Sequence, residues 1–155
     1  MTADTSVPDT GTDRNLDTAC TTVAGEIART DGKASLLLAF NGAVLAGLAT
    51  AAGHPLPIAA KAFGAAAVLA LAAAAVLLLL VVRPRLGGDD RASFPYWAGL
   101  DDEAIRACMR GDSRAARIRV LSTIAVRKFT QLRRAVDMSL AALALLLLAA
   151  VTVLL

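Results

Sequence analysis

The sequence predicts an all-α membrane protein with three transmembrane helices and a cytoplasmic helical stalk. Hydrophobic residues make up 57% of the 155 residues, which exceeds ordinary globular usage. The excess lies in three blocks, at residues 34–52, 63–82 and 138–155. A soluble helical bundle needs a polar face on each helix, and these blocks have none. We therefore expect membrane spans at about residues 34–52, 60–82 and 138–155.

The last 43 residues, 113–155, contain neither Pro nor Gly and change character halfway. The first half is basic and amphipathic, and the second half, from Met138, is apolar throughout. About 18 residues at about 1.5 Å each span about 27 Å, close to the hydrocarbon thickness of a bilayer. We predict one continuous helix that begins in water, carries arginines at the membrane surface and ends in lipid.

The first block is the least regular of the three, because it contains small and polar residues such as Asn41, Gly42 and Gly47. A re-entrant or interfacial segment is the alternative. A spanning helix packed against its neighbours fits better, since small and polar residues suit helix contacts in lipid. Upstream, apolar residues at helical spacing predict a helix over about 15–33, and residues 1–13 are expected to be a disordered tail.

Lys and Arg residues are distributed unevenly around these blocks. Three precede the first, one lies between the first and second, and twelve lie between the second and third. The positive-inside rule then places the N-terminus and residues 83–137 in the cytoplasm and the C-terminus at the outer face. Residues 1–34 carry a net charge of −3 and residues 83–137 a net charge of +5, so these two pieces attract one another. We expect them to pair as the stalk.

Short motifs divide the rest of the chain. Residues 53–57 form an outer turn, because Pro55 and Pro57 cannot continue a helix. Acidic residues predict the start of a short helix over about 101–110, and Asp112 or Ser113 is expected to cap the terminal helix. Cys20 and Cys108 fall on the cytoplasmic side, where a structural disulfide is not expected.

Three aromatic residues precede the short helix: Phe94, Tyr96 and Trp97. Amphipathic rings often lie at the headgroup level or cap a helical stalk, and we favour that interpretation. A stacking wall for a flat ligand is the alternative.

The sequence contains no pattern that indicates catalysis. The single His54 lies in a turn, no Cys or His cluster has metal-ligand spacing, and no nucleophile or phosphate-loop motif is present. We therefore expect neither an enzyme nor a metal or cofactor. Asn41 is the one strongly polar side chain within a span. We expect it to hydrogen-bond to a neighbouring helix or a second subunit, with a pore-lining role as the alternative.

The arginines of residues 83–137 permit two interpretations. They serve as a topology signal that attracts anionic lipid, or they form a pocket for an anionic small molecule. Composition does not separate these two. Nucleic-acid binding is disfavoured, because the basic cluster adjoins a membrane span and is interrupted by acids.

Three stretches together resemble a known family: DGKASLLLAFNG at residues 31–42, SFPY at residues 93–96 and LSTIAVRKF at residues 121–129, followed by Leu132, Arg133 and Ala135. They resemble the domain of the transmembrane effectors of Pycsar, the pyrimidine cyclase system for antiphage resistance. The resemblance extends over nearly the whole chain and implies a single domain over residues 14–155.

This resemblance implies a protein of the bacterial inner membrane that responds to cyclic CMP or cyclic UMP by impairing the membrane and arresting growth. A cyclic pyrimidine mononucleotide from a partner cyclase is then the candidate ligand, and a homo-oligomer in the lipid bilayer is expected. Asp31, Lys33, Arg127 and Lys128 are the candidates for contact with the ligand or for the junction of stalk and membrane. A non-catalytic anchor or scaffold for a cytoplasmic partner is the alternative.

Overall fold

A computed structural model describes residues 10–84, 93–108 and 110–154, and within these ranges the chain forms five α-helices and no strand. The helices are α1 (Thr10–Ala51), α2 (Ile58–Val82), α3 (Phe94–Trp97), α4 (Asp102–Cys108) and α5 (Arg114–Leu154). Helices α1, α2 and α5 are each long and apolar enough to cross a membrane. The predicted all-α fold with three membrane-compatible helices is therefore confirmed.

Helix α1 begins earlier than the sequence analysis predicted. Residues 10–13, which were expected to end a disordered tail, form its first turn. The acidic Asp13 lies in this turn, where it interacts favourably with the positive end of the helix dipole. It also accepts hydrogen bonds from Arg114, which ties the turn to α5. Residues 1–9 of the predicted tail lie outside the described residues.

Prolines and local hydrogen bonds set the limits of α2. Pro57 precedes its first residue, and the backbone N–H of Arg83 donates to the carbonyl oxygen of Leu79 at 2.9 Å to close its last turn. Pro84 follows and cannot continue the helix, because it has no N–H. Gly87 and Gly88 predict a loop at residues 86–90, and this segment lies outside the described residues.

The segment between α2 and α5 forms two short helices. The aromatic motif is one helical turn, α3, in which the backbone N–H of Trp97 donates to the carbonyl oxygen of Ser93 at 3.1 Å. At the start of α4, the Asp101 carboxylate accepts the backbone N–H of Ala104 at 2.8 Å. This capping contact lies at the helix start that the acidic residues predicted.

The chain divides into two compact units, to both of which α1 and α5 contribute. The first unit combines the described parts of Met1–Ile27 and Arg85–Ala125, and the second combines Ala28–Pro84 and Val126–Leu155. In the second unit, three long apolar segments pack through Ala, Leu and Val side chains. One core cluster contains Ala34, Leu78, Val81, Leu132 and Ala135, and the other contains Ala67, Leu71 and Ala142.

Many large apolar side chains of the second unit point away from these clusters. Leu36 is 75% exposed, Leu69 72% and Leu147 67%. In water this arrangement would be unfavourable, because apolar surface of this extent is normally buried. In a bilayer it is the expected one, since lipid covers large outward-facing side chains while small residues let the helices approach closely.

Candidate functional site

An ion pair joins α1 to α5 in the second unit. The ammonium of Lys128 donates hydrogen bonds to both carboxylate oxygens of Asp31, at 2.6 and 2.8 Å. The two side chains are 16% and 35% exposed, respectively, so water reaches the pair only in part. Ala34 and Leu132 of the core cluster lie about one helical turn further along each helix. The pair therefore lies at the edge of the apolar core.

Of the four predicted junction residues, the structure brings together only these two. Lys33 and Arg127 are adjacent to the paired residues in sequence, yet both are exposed. Within the described part of the chain, neither of their side chains takes part in a hydrogen bond or an ion pair. Helical geometry explains the difference, because neighbouring positions point about 100° apart around the axis.

A second polar contact between the same helices lies inside the core. Asn41 is fully buried, and its amide nitrogen donates to the Ser139 hydroxyl at 3.0 Å. The Ser139 hydroxyl lies 3.0 Å from the Ala135 carbonyl oxygen and 3.2 Å from the Asn41 amide oxygen, so its single proton is shared between two acceptors. Asn41 thus bonds to a neighbouring helix, which is one of the predicted alternatives.

These two contacts show that α1 and α5 run parallel in the second unit. Asp31 pairs with a residue 97 positions later, and Asn41 with a residue 98 positions later. The offset between the helices is nearly constant over ten residues, which is about 15 Å of helix. The start of the apolar part of α1 therefore lies at the same end of the unit as the start of the apolar part of α5.

The first unit has its own polar cluster, centred on Arg114 at the start of α5. Its guanidinium pairs with Asp112 at 3.0 Å, with Asp17 at 3.2 Å and with Asp13. The guanidinium also donates to the carbonyl oxygen of Asp13 at 3.1 Å. The cluster joins the first turns of α1 to α5, as the predicted pairing of the two stalk helices requires.

Charge pairing shifts the titration of this cluster. The side-chain and backbone hydrogen bonds from Arg114 hold the pKa of Asp112 below its usual value of 3.8. Hydrogen bonds from Asp112, Asp13 and Asp17 raise the pKa of Arg114 further above its already high value. Asp112 and Arg114 are therefore both charged at neutral pH.

The sequence pattern does not single out Arg114. It was one of many arginines in the basic half of the terminal helix. Asp13 and Asp17 are spaced by four residues and so lie on one face of α1, which was a usable signal. No spacing within one helix, however, tells which of several arginines on another helix faces that pair.

The remaining candidates occupy other places. Tyr96 and Trp97 are half-buried in the first unit, and the side chain of Phe94 lies outside the described part. The thiol of Cys20 is 3.9 Å from the carbonyl oxygen of Arg114, and both it and Cys108 are free. The described ranges bring together no group of three His, Cys, Asp or Glu side chains that could hold a metal ion.

The chain matches the model of a known protein family. The family model of the Pycsar effector protein domain matches residues 15–155, which include nearly all of α1 and the whole of α2 and α5. No curated protein and no solved structure matches the chain significantly.

Proposed function

The chain belongs to the Pycsar effector protein domain family and is thus an effector of antiphage defence; we propose that cyclic CMP or cyclic UMP triggers it to impair the bacterial inner membrane. The observation that carries this proposal is the match itself, which extends along all three membrane-compatible helices. In this proposal the protein is a membrane-embedded homo-oligomer without catalytic activity.

The orientation follows from the positive-inside rule. Twelve Lys and Arg residues lie between residues 83 and 134, against one, Lys61, at the opposite end of α2. We place the N-terminus and residues 83–137 in the cytoplasm and the C-terminus at the outer face. The parallel arrangement of α1 and α5 is compatible with this topology, because their apolar parts begin at the same end of the second unit.

Helix α5 supports a mechanism of membrane impairment. Its 41 residues extend over about 60 Å and carry a basic half directly into an apolar half. The helix contains no Pro or Gly that would interrupt it between the two halves. A nucleotide that binds one arrangement of the basic half more tightly would shift the population towards that arrangement.

The exposed cations Lys33 and Arg127 are the proposed phosphate contacts. Neither is engaged in an ion pair within the described residues, so an anionic ligand does not have to displace a carboxylate from them. An arginine guanidinium binds a phosphate through two parallel hydrogen bonds, which favours it for this role. Asp31 and Lys128 already neutralise each other, and we assign them to the resting contact between α1 and α5.

Dye release from liposomes tests the proposal. Vesicles that contain the oriented full-length protein and a quenched dye receive cyclic CMP, cyclic UMP or, as a control, cyclic AMP. We expect release with one of the pyrimidine nucleotides and none with cyclic AMP. The double substitution K33Q/R127Q should raise the nucleotide concentration needed, whereas K61Q, which changes an exposed lysine at the start of α2, should not. Absence of release with both pyrimidine nucleotides would refute the proposal and favour the membrane-anchor alternative.

A further inference from the structure

Five exposed basic residues of the second unit come from all three of its long segments. They are Lys33, Arg83, Arg127, Arg133 and Arg134. We call these five residues the basic ring.

The core cluster that contains Ala34, Val81 and Leu132 places the basic ring at one end of the three long apolar segments. Ala34, Val81 and Leu132 are buried in this one cluster. On α1, Lys33 directly precedes Ala34. Arg83 follows Val81 by two residues, just after α2. On α5, Arg133 and Arg134 directly follow Leu132. Four of the five cations are therefore within about one helical turn of the same small cluster. Arg127 is about one turn further from it and next to the ion-paired Lys128.

The positive charge of this ring is largely uncompensated. Within the described residues, none of the five side chains forms an ion pair. The second unit contains only two acidic residues, and one of them, Asp31, is bound to Lys128. The other, Asp137, is exposed and balances one of the five charges. The ring thus carries an excess of four positive charges at one end of the unit.

Exposed apolar side chains continue along α1 and α5 beyond the ring. On α1, Leu36 and Phe40 follow the ring and are 75% and 47% exposed. On α5, Met138 and Leu140 follow it and are 43% and 59% exposed. A cationic belt that borders an apolar surface matches the boundary between headgroups and acyl chains in a bilayer. A nucleic acid would gain nothing from the apolar surface, which favours lipid as the partner.

We propose that the basic ring is a binding site for phospholipids with anionic headgroups. Their phosphates accept hydrogen bonds from the arginines, and their acyl chains lie along the exposed apolar side chains of α1 and α5. The ring shares Lys33 and Arg127 with the proposed nucleotide contact. Lipid binding needs no nucleotide, however, so its test is independent of the proposed trigger.

Native mass spectrometry of the detergent-solubilised full-length protein tests the site. The protein is equilibrated with equal amounts of phosphatidylglycerol and phosphatidylcholine, and the ratio of retained lipids is measured. Each basic residue near an anionic surface contributes about a fivefold preference. In the variant R127Q/R133Q/R134Q, the preference for phosphatidylglycerol over phosphatidylcholine should therefore fall roughly 100-fold. The control R106Q/R117Q/R119Q changes the net charge equally, but its substitutions lie in the first unit.

Each outcome of this measurement supports or refutes the proposed lipid site. If only R127Q/R133Q/R134Q loses the preference for phosphatidylglycerol, the result supports the site. If the control variant R106Q/R117Q/R119Q loses as much of this preference, the result refutes the site and indicates a general effect of net charge. Equal retention of the two lipids by the unsubstituted protein also refutes it, and this measurement does not depend on any variant that folds poorly. Binding of duplex DNA without any lipid preference would refute it as well. The variant R127K/R133K/R134K should retain most of the preference, because it keeps the charge.

Discussion

Substitution of Lys128 by Gln should destabilise the second unit by about 1–2 kcal/mol. Two unit charges about 4 Å apart attract by about 4 kcal/mol at an effective dielectric constant of about 20. Dehydration and side-chain ordering offset much of this, so that exposed pairs contribute about 0.2–1 kcal/mol, whereas breaking a buried pair costs about 3–5 kcal/mol. The side chains of Lys128 and Asp31 are 16% and 35% exposed, so this pair is intermediate between an exposed and a buried ion pair. An intermediate value is therefore expected.

A double-mutant cycle measures this energy. The variants K128Q, D31N and the combination of both are unfolded by SDS in micelles, and the free energy of unfolding is obtained for each. We expect the double substitution to cost about as much as either single one, with a coupling energy of about 1–2 kcal/mol. The controls are R127Q and D137N, which remove the same kinds of charge from exposed positions nearby. They should change stability by less than about 0.5 kcal/mol.

Two results would refute this reasoning. If the effects of K128Q and D31N simply add, the two residues do not stabilise the unit through each other. If R127Q destabilises the unit as strongly as K128Q, net charge rather than the observed contact determines stability.

Three further predictions concern the other polar contacts. Asn41→Ala should destabilise the second unit by about 0.6–1.7 kcal/mol, and its coupling with Ser139→Ala should be of similar size, measured by the same SDS unfolding. The folded-state pKa of Asp112 lies below 3.8, so its contact stabilises the first unit above about pH 4 and is lost as the pH falls further. Circular dichroism in acid should accordingly show a transition below pH 4 that D112N weakens, and an unchanged transition in D112N would contradict this. Arg114→Gln should speed hydrogen exchange in the first turns of α1 by about three- to tenfold, whereas R117Q, at an exposed position of α5, should not.

The long helices could be predicted from the sequence because their signal is local. Three apolar blocks of sufficient length are incompatible with a soluble bundle, and each was visible without any knowledge of its neighbours. The early start of α1 could not be predicted in the same way. Residues 10–13 are polar, and the contact that favours their helical conformation comes from Arg114, about 100 positions later.

The candidate site was predicted only in part, because its contacts join residues that are far apart in the sequence. Asp31 and Lys128 were named, but so were their neighbours Lys33 and Arg127, and nothing in one helix tells which residue faces the other. Asn41 was identified because a strongly polar side chain is rare in a membrane span. Its partner Ser139 was not identified, because a serine in an apolar helix satisfies its own hydroxyl by bonding to a backbone carbonyl one turn earlier. Ser139 does this through Ala135 and binds Asn41 as well.

The two contacts between α1 and α5 together suit a switch of the proposed kind. A shift of one helical turn, about 5.4 Å, along either helix would separate Asp31 from Lys128 and Asn41 from Ser139 at the same time. The cost of that shift is the sum of both contacts, about 2–4 kcal/mol. Coupling energies between a ligand and a conformational change are typically about 1–3 kcal/mol. Only couplings at the upper end of this range would therefore offset a cost of about 2–4 kcal/mol, and weaker ones would leave the protein almost entirely in the resting register.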